Sequence, residues 1–221
     1  MDEISNLITT IAEYLQPDVQ LAGGIVSEEI KPVHTDEWQL VAKAGKKRQR
    51  EFLCGRYYAH QLLQAAGYTD YCIARDEKGC PIWPDGIAGS ISHTNDYCVA
   101  ILSSQGAVTT VGVDLEECGR MKESLWPRLF TTSELKRIHA ANTPAERMRL
   151  AAIMFSAKEA FYKSDYPLNG RSYDFTVVDV LLDENHHLAF DFHKTGPSAA
   201  CKGAYVVGVT HVMTVVYQQT S

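Results

Sequence analysis

The stretch that most constrains this chain is FSAKEAFYK, residues 155 to 163. It lacks Pro and Gly, is rich in strong helix formers and follows a helix start at Thr143-Pro144, so it reads as part of a long helix. Leu150, Ile153, Met154, Ala157 and Phe161 recur at helical spacing and form one stripe. Glu159 and Lys163 lie one turn apart on a shared face, about 180° from the centre of that stripe at about 100° per residue. A solvated face carrying an ordinary ion pair is one reading. Against it, Ala152, Phe155 and Tyr162 surround Glu159 on the same side, so the helix is apolar nearly all round and is expected to be buried on two sides. A Glu and a Lys in that setting line a groove.

A chain of 221 residues buries a core without staples, as one domain or two small ones. No apolar run reaches membrane length, and the opening MDEISNLITTIAEYL is acidic where a secretory signal is basic, so a cytoplasmic protein without membrane insertion is expected. Six cysteines, at 54, 72, 80, 98, 118 and 201, form no CxxC pair and no Cys/His cluster, which argues against zinc; reduced, buried thiols are expected. The net charge of -6 argues against general nucleic-acid affinity, but KAGKKRQR, residues 43 to 50, is a local cationic exception.

Residues 1 to 45 read as an irregular leader with a short amphipathic helix near Ile4 to Leu15. A basic helix is expected from Lys46 to Ala66, stopping at Gly67. Short strands follow at 71 to 74, 88 to 92, 97 to 103 and 108 to 115, with a turn at 76 to 81. One helical block is expected over 132 to 166, and strands at 173 to 182, 187 to 193, 203 to 210 and 212 to 218. Helix then strands occurs twice. An α+β architecture of two related halves, each a helix packed on antiparallel strands with a cleft between them, is the expected fold. The halves divide as residues 1–110 and 111–221.

Three constellations carry chemistry. In VGVDLEE, residues 111 to 117, Asp114 and Glu116 share one face of an extended segment, and two carboxylates so close call for a cation; oxygen ligands suit Mg²⁺. A surface turn explains a lone D-x-E equally, but Glu159 would bring a third carboxylate. GSISHT, residues 89 to 94, sets Ser92 and His93 at a strand end, either as satisfied turn residues or as phosphate donors. The cations of KAGKKRQR either solvate a helix start or strengthen anion binding at free backbone N–H groups.

GVDLEE followed by FSAKEAFYK resembles the paired signature of the 4'-phosphopantetheinyl transferases, a G-[IV]-D-x-E segment and a [FW]-[SC]-x-K-E-x-x-x-K segment. KRQREFLCGRYYA, residues 47 to 59, and PIWPDGIAGSISHT, residues 81 to 94, further resemble the branch that includes the enterobactin synthetase component D enzymes. The likeness runs from about residue 46 to 163, with four motifs in order. It implies a monomeric transferase that moves the phosphopantetheine arm of coenzyme A to a serine of an apo acyl, peptidyl or aryl carrier protein, with Mg²⁺ as cofactor and 3',5'-ADP as product. Siderophore or other nonribosomal peptide or polyketide synthesis is the implied setting, and a pseudo-twofold pair of α+β halves the implied fold.

Residue by residue, the resemblance makes Asp114, Glu116 and Glu159 the metal carboxylates and Glu159 also the general base. Lys158 and Lys163 match lysines near the diphosphate; Arg48, Arg56, Ser92 and His93 match positions near the 3'-phosphate and diphosphate; Lys78, Gly79 and Pro81 match the turn bordering the adenine. Cys80 departs from relatives that carry a basic residue there. Two other classes compete. A nonenzymatic coenzyme A or nucleotide module keeps the basic pocket but has no need of three carboxylates. A metal-dependent nuclease uses acidic clusters with a Lys, but usually on one strand, and the acidic balance disfavours it. LWPRLF, residues 125 to 130, is either core packing or a carrier-docking surface.

Overall fold

The computed structural model describes residues 2–104, 106, 108–170, 174–193 and 201–219. Helix α1 (Glu3–Ala12) is capped by the Asp2 carboxylate, which accepts from Ser5 N at 3.0 Å, and buries Ile4, Leu7 and Ile11. Strand β1 (Val19–Ile25) follows, a correction to the irregular leader. The pair Gly23-Gly24 serves close approach: a Cβ on Gly23 would stand 3.1 Å from Val99 Cα of the neighbouring strand, and one on Gly24 would stand 3.0 Å from the Tyr58 ring.

After the short α2 (Thr35–Gln39) comes the basic helix α3 (Lys46–Ala65), which buries Phe52, Cys54, Ala59, Leu62 and Leu63 and stops before Gly67 at φ +93°. The expected strand at 71 to 74 is instead an extended segment outside any sheet, with one isolated bridge between Arg75 and Pro81. Its Ile73 N–H donates to the buried Glu37 Oε1 at 2.7 Å, so a side chain satisfies it where a neighbouring strand would. Strands β2 (Ile87–His93), β3 (Tyr97–Ser104) and β4 (Val108–Glu117) match the expected runs, although β4 begins ahead of the 110/111 division.

Helix α4 (Trp126–Leu129) buries Trp126, and Phe130 is buried just beyond it, so these two rings of LWPRLF pack as core while Leu125, Pro127 and Arg128 are exposed, Leu125 at 44%. The single helical block is two helices, α5 (Thr132–His139) and α6 (Pro144–Asn169). Each opens with a full capping box, Thr131 with Glu134 and Thr143 with Glu146, and Pro144 in the first turn of α6 cannot continue an earlier helix. Four strands close the chain: β5 (Val178–Leu182), β6 (His187–Phe192), β7 (Cys201–Val207) and β8 (His211–Gln219). Residue 173 of the expected run 173 to 182 lies outside the described residues.

The strands form two antiparallel sheets, ordered β1-β3-β2 and β4-β8-β7-β6-β5. In each half a strand leads into a long helix, and that strand pairs with the last strand of its own half: β1 with β3 around α3, and β4 with β8 around α6. This is the α+β architecture of two related halves. One apolar cluster joins them, since Val99 and Ile101 of the first sheet pack with Val111, Val113, Leu115, Met213 and Val215 of the second beneath Ile4, Leu7 and Ile11. A second cluster lies under α6, around Met154, Ala157, Ala160, Phe161 and Val216.

Cysteine pairing departs from expectation. Cys54 of α3 and Cys98 of β3, both fully buried, form a disulfide, and Cys72, Cys80, Cys118 and Cys201 take no part in it. Among the described residues, no helix is long and apolar enough to cross a membrane.

Candidate active site

The site begins with a close contact between β4 and α6. Gly112 lies directly against the α6 backbone; a Cβ there would overlap Ala160 O and stand 2.8 Å from Ser164 N. That approach brings Lys163 onto the strand, where its Nζ donates to Asp114 Oδ1 at 2.5 Å, to Ser92 Oγ at 3.1 Å and to Val113 O at 3.3 Å. Ser92 Oγ in turn donates to Asp114 Oδ1 at 2.9 Å and accepts from Leu115 N at 3.2 Å, fastening the end of β2 to β4. Asp114 is 3% exposed, and its second oxygen, Oδ2, is buried without a hydrogen-bond partner.

Three carboxylates share this electrostatic environment. Burial first, then the neighbouring Asp114 charge, pushes the Glu116 carboxyl up to about 7, opposed by Lys163 and Arg120. Burial also raises Glu159, with Asp114 adding to the rise and Lys163 opposing it. Proximity to like charge and loss of water thus act together, the pattern expected of carboxyls that bind a cation or serve as a base. Among the described residues, no three His, Cys, Asp or Glu side chains are already gathered tightly enough to enclose a metal. The donor set is nonetheless all oxygen, and the orphaned Oδ2 of Asp114 is a buried acceptor awaiting a positive partner, which suits a hard divalent ion.

Glu159 and Lys163 do line a groove. A cavity of about 570 Å³ is walled by them and by Tyr162, Tyr166, Phe175 and Pro167 on one side, and by Lys78, Gly79, Cys80, Pro81, Trp83, Gly89, Ser90 and Ile91 on the other. The turn at 76 to 81 is held open by Asp76, whose Oδ1 accepts from Lys78 N at 2.9 Å and Cys80 N at 2.8 Å, and by Gly79 at φ +86°. Lys78 reaches across the cleft to the carbonyl of Gly170 at 3.3 Å and lies over the Tyr166 ring at 4.8 Å.

Gly79, Pro81 and Ile91 also border a smaller pocket of about 120 Å³, lined by Arg48, Glu51, Phe52, Arg56, Arg75 and His93. Arg48 Nη1 donates to His93 Nε2 at 2.6 Å, which requires a neutral imidazole; burial, with Arg48 and Lys163 beside it, holds His93 below the ordinary range. Arg56 is 3% exposed, its Nε and Nη1 have no hydrogen-bond partner, and burial pushes its guanidinium down to about 10. A buried guanidinium with unused donors is a strong anion acceptor site. The cationic pocket, the cavity and the carboxylates thus form one continuous cleft.

The family model described as 4'-phosphopantetheinyl transferase N-terminal domain matches residues 36–103, and the 4'-phosphopantetheinyl transferase superfamily model matches residues 110–215. The 4'-phosphopantetheinyl transferase Npt of Nocardia iowensis is 30% identical over 71% of this chain and 68% of its own length. The chain belongs to the 4'-phosphopantetheinyl transferase superfamily. PptT of Mycobacterium tuberculosis is 31% identical over 73% of this chain and 66% of its own length. Enterobactin synthase component D of Salmonella typhi is 35% identical over 55% of this chain and 50% of that relative, so the matched region spans half to two thirds of these proteins.

In this transferase the residues singled out by sequence divide into three groups. Asp114, Glu159, Lys163 and Ser92 meet at the β4–α6 contact, with Glu116 beside them. Arg48, Arg56 and His93 meet in the small pocket, and Lys78, Gly79 and Pro81 form the rim between the two spaces. Lys158 stands apart, a correction to its place beside the diphosphate. It is fully buried, and its Nζ donates to Glu134 Oε2 at 2.6 Å, Phe175 O at 2.5 Å and Leu129 O at 3.2 Å. Its three donors are consumed inside the fold.

Sequence reading missed Arg75. It lies over the Phe52 ring at 4.4 Å, as Arg56 does at 4.9 Å, and completes a cationic pocket with Arg48. The available signal was weak, a lone basic residue ahead of the 76 to 81 turn in a segment that read as a strand. Cys80 lines the cavity, and burial followed by the Asp76 charge raises its thiol.

Proposed function

We propose that this chain transfers the 4'-phosphopantetheine arm of coenzyme A to a serine hydroxyl of an apo acyl or peptidyl carrier protein, releasing 3',5'-ADP, with Mg²⁺ as cofactor. The observation that carries this reading is the continuity of the cleft, in which a small pocket lined by three arginines and a histidine opens into an apolar-walled cavity bordered by Glu159 and Lys163, with Asp114 bonded to Lys163. That sequence of environments suits a ligand with a phosphate at one end, a flat ring in the middle and a diphosphate at the other. In this reading the N-terminal half holds phosphate and ring, and the C-terminal half holds the reacting end. A nonenzymatic module has no use for the three carboxylates.

Arg48, Arg56, Arg75 and His93 bind the terminal phosphate and orient the nucleotide, Ser92 stands with Lys163 at the diphosphate end, and Lys78, Gly79 and Pro81 border the ring. Lys163 neutralises charge developing on the diphosphate. Glu159, its carboxyl raised by burial and kept out of bulk water, takes the proton from the carrier serine. Asp114, Glu116 and Glu159 would hold Mg²⁺, which supplies Lewis-acid neutralisation of the diphosphate when bound. The exposed Leu125 among Arg120, Lys122 and Arg128 offers a carrier presenting carboxylates a surface with an apolar centre. Siderophore or other nonribosomal peptide or polyketide synthesis is the setting that the enterobactin synthase relatives suggest.

The test is direct. Incubated with coenzyme A, Mg²⁺ and the protein, an apo carrier gains the mass of the phosphopantetheine arm; a panel of apo carriers with no mass gain refutes the assignment.

Replacing Glu159 by Gln keeps its shape and one ligand oxygen while removing the base. Turnover falls about 100-fold, with coenzyme A affinity held within about tenfold. If calorimetry shows binding lost in parallel with rate, Glu159 organises the ligand and is not the base.

Arg48→Ala or His93→Ala weakens coenzyme A by roughly 10- to 100-fold while changing dephospho-coenzyme A little, because a charge-assisted hydrogen bond contributes roughly 1.5 to 3 kcal/mol. Equal weakening of both ligands, read from the two dissociation constants, would move these residues away from the 3'-phosphate.

A further inference from the structure

Helix α1 belongs to the first half in sequence but clasps the second. Its Glu3 reaches the turn between β7 and β8, where Oε1 accepts from Thr210 N at 2.7 Å and His211 N at 3.0 Å, and Oε2 accepts from Thr210 Oγ1 at 2.6 Å. These bonds hold the Glu3 carboxyl below its ordinary range against the effect of its partial burial. From Thr210 the contacts continue to His211, which is 2% exposed: Thr210 Oγ1 lies 2.8 Å from His211 Nδ1, and His211 Nε2 lies 3.3 Å from Thr94 Oγ1. Thr94, also 2% exposed, directly follows Ser92 and His93, and the Tyr97 ring packs edge-on against His211 at 4.8 Å.

Counting donors gives this chain a direction. Thr210 spends its hydroxyl proton on Glu3, so it accepts from His211, whose proton is therefore on Nδ1. Thr94 Oγ1 already accepts from Asp96 N at 3.3 Å and Tyr97 N at 3.2 Å, so its own proton points to the bare Nε2 of His211. Each hydroxyl in the chain thus donates once, Thr210 accepting once and Thr94 twice, and each ring nitrogen of His211 is used once.

We infer that Glu3, Thr210, His211 and Thr94 form an oriented hydrogen-bond chain by which the N-terminal helix positions the Ser92–His93 strand end against the second half. These are positioning residues: none lines the cleft, and they act through Ser92 and His93. The inference rests on the proposed function only for its consequence in coenzyme A binding. The turn that closes β2 onto β3, with Thr94 N donating to Tyr97 O at 2.8 Å, is the element held, and its other anchor is Val26 N donating to Asp96 O at 2.8 Å. Ser92 and His93 therefore receive their register from α1 and β8 as well as from their own sheet.

Glu3→Gln separates orientation from packing. The amide oxygen keeps the two backbone N–H bonds, and the amide nitrogen becomes a donor facing Thr210, which must then turn its proton toward His211 Nδ1. Imidazole ¹⁵N spectra, with the His211 signals assigned through His211→Gln, should show the proton on Nδ1 in the parent protein and on Nε2 in Glu3→Gln, with shifted Ser92 and His93 amides. A parent proton on Nε2, or unmoved Ser92 and His93 amides in the variant, overturns the inference whether or not coenzyme A binds.

The consequence for binding is read separately. Thr94→Val should raise KM for coenzyme A about five- to tenfold, the size of one neutral hydrogen bond, with kcat within about twofold, and Thr94→Ser should restore it. Valine and serine variants with the same KM would also overturn it. Failure of the parent protein to bind coenzyme A refutes the functional reading alone and leaves the spectroscopic result to decide the positioning role.

Discussion

Asp114→Ala is expected to lose about 100-fold or more in turnover, the loss that follows when a Lewis acid stabilising the transition state by several kcal/mol can no longer be held. Asp114 is the convergence point of the site: its Oδ1 accepts from both Lys163 and Ser92, and its Oδ2 is buried without a partner. Removing it frees Lys163 from its 2.5 Å contact and takes away the acceptor of the Ser92 hydroxyl on β4, while Leu115 N still donates to Ser92 Oγ. Both consequences act on the reacting end of the cleft, so kcat should fall much further than the affinity for coenzyme A. Mass spectrometry of the carrier gives the rate, and circular dichroism shows whether the variant retains its fold. Full turnover of Asp114→Ala with excess chelator present would remove both the metal and this residue from the mechanism.

The largest expected loss of stability lies elsewhere, at the Lys158–Glu134 pair. Glu134 is 2% exposed; beyond Lys158 its carboxylate accepts from Thr131 N at 2.9 Å and Val180 N at 2.9 Å, so it holds together α5, α6 and the edge strand β5. Glu134→Ala leaves a buried ammonium and two backbone donors unpaired, and the cost is about 3 to 5 kcal/mol. For a chain of this size that lowers Tm by roughly 10 °C or more. Lys158→Met removes the charge without leaving a hole and is expected to cost less than Glu134→Ala in denaturant midpoints. Its folded fraction should keep kcat/KM for coenzyme A within about threefold; a loss of about 100-fold there, with the fold intact, would return Lys158 to the diphosphate.

Those two lysines mark the boundary of what was legible in the chain. Lys158 and Lys163 are five residues apart on one helix, so their side chains differ in direction by about 140° and cannot both face the cleft. The motif names both and supports Lys163 the better. Their separation in space comes from Gly112, which lets α6 settle onto β4 so that Lys163 reaches Asp114, and from Glu134, which meets Lys158 on the other side. The same holds for the arginines: Arg48 is readable from the cationic run, but Arg75 enters the pocket only because the 71 to 75 segment leaves the sheet and is fastened to Glu37.

By itself the sequence determined the features that depend on neighbours within a turn or two. The helix carrying Glu159 and Lys163 on a shared face, the Thr143-Pro144 start, the same-face spacing of Asp114 and Glu116 and the glycine turn at 79 all follow from local periodicity, capping and backbone sterics. Tertiary structure decided which of those faces meet. The glycine pair in β1, the disulfide between Cys54 and Cys98, the clasp of α1 on the β7–β8 turn and the fate of Lys158 each depend on residues at least 24 positions apart in the chain. The physical reason is that hydrogen bonding along a helix or turn is settled by adjacent residues. Burial, and with it the charge state of Glu116, Glu159 and Arg56, is settled only when distant segments exclude water from the same space.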